Sequence, residues 1–115
     1  MAATQAQLVT RVLKNLHVLE AGETADANDD ATVDDVIEQV QAELIELGLA
    51  YWALSAIPES VMSGLIKMVS ADAAASFMDK AQSAAYERDR GLGERLIRRT
   101  VTTNPNTTDI PRIYF

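Results

Sequence analysis

Apolar residues recur at the spacing of one helix face in two separate stretches, and this pattern constrains the chain more than any other feature. Leu8, Val9, Val12, Leu13, Leu16 and Leu19 form one stripe, and Val33, Val36, Ile37, Val40, Leu44 and Leu47 form a second. Residues three and four apart share a helix side, so each stripe predicts an amphipathic helix that must bury one face. The first helix is expected over residues 5–19 with Thr4 as its N-cap. The second is expected over 33–47, with Thr32 and Asp35 as a capping box and Gly48 as its stop. Between them, residues 20–31 read as an acidic loop without apolar periodicity.

Two further helices follow. Pro58 suits the first turn of a helix and forces Ile57 into an extended conformation. The inner face of this third helix is expected to be Met62, Leu65, Ile66, Val69 and Ala73, either continuing to Phe77 or breaking at Ser70 and Asp72. A last helix over about 80–99 would turn Ala81, Ala85, Leu92, Leu96 and Ile97 inward. Gly91 and Gly93 lie inside it, and each glycine costs about 1 kcal/mol relative to alanine, so a kink or a division into two helices is expected there. Tyr51 and Trp52 are expected to anchor the core or a subunit contact. The predicted fold is all-α: a small bundle of four to five helices over 1–101, then an extended tail over 102–115. At 115 residues this is a single domain.

The residue inventory narrows the chemistry. Cysteine is absent, which removes disulfides, thiolate metal sites and cysteine nucleophiles. His17 is the only histidine and is placed to sit against a helix C-terminus as a structural residue. Asp26, Asn28 and Asp30 invite a calcium-loop reading, but the sixth and twelfth positions are Ala31 and Ile37 rather than Gly and Glu. The Gly-Leu-Gly at 91–93 lacks the other glycines and the preceding strand of a phosphate loop. The helix carboxylates are expected to face outward, with nothing to desolvate them for acid–base work. The expectation is a protein that is not an enzyme and uses no cofactor or metal.

Charge is divided along the chain. Residues 1–46 hold ten acidic and two basic residues, a net −8, whereas 80–115 hold seven basic and four acidic, a net +3. An acidic and a basic half either are solvated surface or suit head-to-tail contacts between copies, with Arg95, Arg98 and Arg99 as candidate inter-subunit residues or, equally, phosphate contacts. No apolar run approaches the ~20 residues of a membrane span, and no targeting signal is evident, so a cytosolic protein without a membrane partner is expected. The chain ends in Ile110-Pro111-Arg112-Ile113-Tyr114-Phe115, an apolar segment that either packs on its own helices or docks on a partner.

In order and local pattern the chain resembles the head–tail adaptor, or connector, proteins of tailed bacteriophages, related to the packaged-DNA stabilisation protein of short-tailed phages. The resemblance lies in QLVTRVLKNLHVLEAGE, a polar loop, VDDVIEQVQAELIELGLAYW and AIPESVMSGLIKMVSADAAASF, and above all in Ala56 to Phe77. It implies a ring, twelve-fold in that family, beneath the portal protein, extending the DNA channel and joining portal to a tail, nozzle or stopper protein. Double-stranded DNA would pass without sequence-specific binding, and the location would be the virion head–tail junction, with the host cytoplasm during assembly. The resemblance implies that the tail carries the portal-binding residues Ile110, Pro111, Arg112, Ile113, Tyr114 and Phe115. An acidic wall keeps DNA from sticking, which makes Asp34, Asp35 and Glu38 the channel-lining candidates. The alternative, of another class, is a small cytosolic helical regulator or scaffold acting as a homodimer.

Overall fold

Thr4 opens the first helix as expected. In the computed structural model, which describes residues 2–18 and 27–103, helix α1 spans Gln5–Asn15. The Gln7 backbone N–H donates to Thr4 Oγ1 at 3.3 Å while the Thr4 N–H donates to Gln7 Oε1 at 2.8 Å, a reciprocal capping box. The helix ends in a Schellman turn: Val18 N–H donates to Leu13 O and His17 N–H to Lys14 O. This turn needs a left-handed residue, and His17 supplies it at φ 62°. Leu19 and residues 20–26 lie outside the described residues.

Helix α2 spans Ala27–Glu46 and starts earlier than the apolar stripe suggests. Part of the expected acidic loop is therefore helix. Asp29 and Asp30 sit in its first turn, where carboxylates stabilise the positive end of the helix dipole. Thr32 is consequently interior: its hydroxyl donates to the Asn28 carbonyl rather than capping with Asp35. Val33, Ile37, Val40 and Leu44 are buried as expected, but Leu47 is past the last turn and exposed. Gly48, at φ 75°, closes a second Schellman turn in which Leu49 N–H donates to Leu44 O.

The connection to α3 adds a feature absent from the all-α expectation. Ile57–Pro58 (β2) pairs antiparallel with Ala2–Ala3 (β1), Ala3 opposite Ile57. Pro58 is the N-cap of the next helix, not its first turn, because its ψ of 137° keeps it in the two-residue strand. Helix α3, Glu59–Phe77, runs unbroken through Ser70 and Asp72. It is buried on more than one side: Val61, Met62, Leu65, Met68, Val69, Ala73 and Ala74 all lie in the core. Helices α1, α2 and α4 pack around it. The all-α bundle of four helices is thus the observed class, with the β1–β2 pair as a clip on its N-terminus.

Helix α4, Lys80–Thr103, continues through both glycines without a break. Its inward face is Ser83, Gly93, Ile97 and Val101, and of the expected set only Ile97 is fully buried. Ala81 and Ala85 are exposed, Leu96 is half-buried and Leu92 is 39% exposed. The reason is Gly93. A Cβ there would come within 2.6 Å of the Gly64 carbonyl oxygen, and one on Gly64 within 2.7 Å of the Gly93 carbonyl oxygen. The two helices touch backbone to backbone, and this contact sets the rotation of α4. The expected boundary at 101–102 falls in the last turn of α4. No described helix is long and apolar enough to cross a membrane.

Paired substitutions test this account. Gly93→Ala should lower the unfolding free energy by about 1–3 kcal/mol through overpacking. Gly91→Ala, where an added Cβ meets nothing within 4 Å, should raise it by about 1 kcal/mol. Urea unfolding followed by Trp52 fluorescence measures both. His17→Gly should add about 0.5–1.5 kcal/mol by relieving the left-handed conformation, since that conformation costs an L-residue about 1–2 kcal/mol.

Candidate assembly surfaces

The outward side of each long helix follows from its buried side. At about 100° per residue, Asp35, Glu38, Ala42, Ile45 and Glu46 fall opposite the buried stripe of α2. All five are exposed. Helix α2 carries seven acidic residues and no basic one, so this arc is acidic with one large apolar side chain. On α4, Arg88, Leu92, Arg95 and Arg99 fall within about 60° of one another, opposite Gly93 and Ile97. All four are exposed. This arc is basic, again with one large apolar side chain.

The candidate inter-subunit arginines therefore divide. Arg95 and Arg99 share the outward arc. Arg98 is turned away from it and pairs within its own helix with Glu94 at 2.9 Å. The acidic candidates divide as well. Asp35 and Glu38 are outward, whereas Asp34 is half-buried and accepts a hydrogen bond from Gln5 Nε2 at 3.0 Å. Residues 110–115 lie outside the described residues.

Arg90 fixes how α2 and α4 stand. Its Nε and Nη2 donate to the two carboxylate oxygens of Asp72 at 2.8 and 3.1 Å, and Nη2 also donates to Glu43 at 2.8 Å. One planar guanidinium thus joins α2, α3 and α4. The Asp72 bond, with a smaller gain from Glu43, outweighs partial burial and raises the Arg90 pKa above its already high value. Arg90 was not singled out by the sequence, because a single arginine in a charged helix carries no periodic signal.

At the C-terminal end of α2 the surface turns apolar. Ile45 is 57%, Leu47 45% and Tyr51 38% exposed. Tyr51 meets Trp52 edge-to-face at 5.1 Å. Trp52 is in the core, and its carbonyl accepts from Gln41 Nε2 at 2.9 Å. Of the two aromatic anchors, then, Trp52 serves the core and Tyr51 the surface. Ile45 was missed because it adjoins the buried Leu44 and falls outside the stripe.

A solvent-open cavity of about 480 Å³ lies where α1 ends, lined by Leu16, His17, Val18, Phe77, Met78, Gln82 and Tyr86. Tyr86 donates its hydroxyl proton to the Asn15 carbonyl at 3.2 Å, which places it as a brace between α4 and α1. His17 owes its place on this wall to the Schellman turn. Among the described residues no group of three or more His, Cys, Asp or Glu side chains is placed to hold a metal ion. Comparisons of the chain with protein-family models, curated proteins and solved structures gave no match.

Arg90→Lys keeps the charge but loses the planar fork. Because the site is partly exposed, the expected cost is about 1 kcal/mol, read as a lower midpoint of urea unfolding. Arg98→Lys, in an exposed pair within one helix, should change the stability by less than about 0.5 kcal/mol.

Proposed function

We propose that the chain is a structural subunit that acts by contact between copies, and that its setting is the head–tail adaptor ring of a tailed bacteriophage. One observation supports this reading above the others. A single small helical body carries an acidic outward arc on α2 and a basic outward arc on α4, each with an exposed large apolar residue. Surfaces of opposite charge on one body favour association with copies of itself. The phage setting rests on the resemblance carried by the order of its helices and the Ile57-Pro58 entry to α3. In that setting the ring sits beneath the portal and extends a channel through which double-stranded DNA passes without sequence-specific contacts. Arg95 and Arg99 meet a neighbouring copy, and the segment from Ile110 to Phe115 fastens to the portal protein.

Quantitative mass spectrometry of purified particles tests the setting. The chain should be present at a fixed ring-like ratio to the portal protein. Its absence from particles, with abundant chain elsewhere in the cell, would overturn the adaptor reading. Deleting 104–115 should leave the helical circular-dichroism signal and Trp52 fluorescence intact while removing portal binding.

A further inference from the structure

The exposed large apolar side chains among the described residues are Ile45, Leu47, Tyr51 and Leu92. Ile45 lies in the last turn of α2, Leu47 and Tyr51 follow its end, and Leu92 lies on α4. The Glu43–Arg90 ion pair at 2.8 Å shows which sides of these two helices face each other. Ile45 lies two residues beyond Glu43, and Leu92 two beyond Arg90. Two residues turn a helix by about 200°, so both side chains point away from the facing sides. They diverge from the Glu43–Arg90 pair and do not cover each other within one chain.

Their surroundings are complementary. Leu92 is flanked on its arc by Arg88 and Arg95, neither of which forms an ion pair among the described residues. Ile45 shares its arc with Asp35, Glu38 and Glu46, which form none either. We propose that these two arcs are the two halves of one contact between copies: α2 of one chain lies antiparallel against α4 of the next, with Ile45 opposite Leu92. This register brings Glu38, seven residues before Ile45, opposite Arg99, seven after Leu92, about 10.5 Å along both helices. Arg95 then lies opposite Ala42, whose small side chain leaves room for it, with Glu38 and Glu46 one turn away on either side. The parallel register would set Glu38 against Ala85 and place Arg95 and Arg99 opposite Gly48 and Trp52, past the end of α2.

Two consequences follow. The contact joins unlike surfaces, so it propagates head to tail into a ring or filament and does not close as a two-fold pair. It also assigns Asp35 and Glu38 to the boundary between copies and not to a channel wall. The inference rests on the reading that copies of this chain assemble, but not on the phage setting.

The natural absence of cysteine makes the test direct. Ile45→Cys and Leu92→Cys are surface changes, and circular dichroism with Trp52 fluorescence checks that each variant folds. Each full-length variant alone, at high protein concentration under mild oxidation, should stay uncross-linked. Their mixture should form a disulfide-linked dimer, and the double variant a ladder of multimers. The bond requires Cα atoms within about 7 Å, so it reports the register. Glu38→Cys with Arg99→Cys should behave in the same way. Arg99→Glu should reduce the Ile45–Leu92 yield at least tenfold, and adding Glu38→Arg at the opposing position should restore it. Self-cross-linking of Ile45→Cys alone, matching the mixture, would overturn the proposal in favour of a two-fold dimer. No cross-link in any combination would overturn it outright. If the chain is present in particles but does not cross-link, this interface fails and the adaptor reading stands. If it cross-links but is absent from particles, the interface stands and the phage setting fails.

Discussion

The contact of Gly64 with Gly93 governs the surface of this protein as much as its core. Helix α4 buries few large side chains, Ile97 being the only one fully enclosed among its described residues. It is held to α3 by backbone proximity, with many small dispersion contacts that any Cβ at the crossing would push apart. Once Gly93 and Ile97 point inward, the helical repeat leaves no freedom for the rest. Arg90 falls about 60° from Gly93, within reach of Asp72 and Glu43, while Arg88, Leu92, Arg95 and Arg99 fall on the far side. The basic arc is thus a geometric result of the glycine contact.

The same crossing explains where sequence reasoning succeeded and where it stopped. Helices α1 and α2 bury ordinary stripes, so Leu8, Val12, Ile37 and Leu44 could be read directly as core. In α4 the residue that packs most closely has no side chain. A pattern search scores Gly93 as a break, and then rotates the helix to bury the nearest leucine. Leu92 was placed inside for that reason, and it is outside because Gly93 took the inward position. Gly91, two residues earlier, is an ordinary exposed glycine. Nothing local separates the two, since the difference is set by Gly64, which is 29 positions away along the chain.

The ends of the helices show a related limit. Thr4 and Gly48 are residue types whose capping chemistry is strong enough to be read from the chain alone. His17 holds the same left-handed position as Gly48 without glycine's freedom. The Schellman bonds from Val18 and His17 to the last turn of α1 offset that strain. The early start of α2 at Ala27 depends on the favourable placement of Asp29 and Asp30 against the helix dipole. An acidic run reads as loop by composition and as helix start by position, and only the fold distinguishes the two.

The candidate site was half legible. The division of charge along the chain named Arg95, Arg98 and Arg99 as contacts between copies, and the channel reading named Asp34, Asp35 and Glu38, but neither could say which of these residues share a face. Arg98 and Asp34 have the same residue types and lie in the same runs, yet Arg98 is turned toward Glu94 and Asp34 toward Gln5, off the two outward arcs. The apolar members of the two arcs were hidden for opposite reasons, Ile45 as a neighbour of the core and Leu92 as an apparent part of it. An apolar residue set among like charges is poorly suited to solvent and well suited to a partner of opposite sign. Apolar burial then supplies affinity while the flanking charges supply direction and register. A contact built from two different arcs on one body needs no symmetry of its own, so its repetition is fixed by the angle between α2 and α4. That angle is held by Arg90 and by the backbone contact at Gly93, so in the proposed contact the core of one copy would set the curvature along which further copies add.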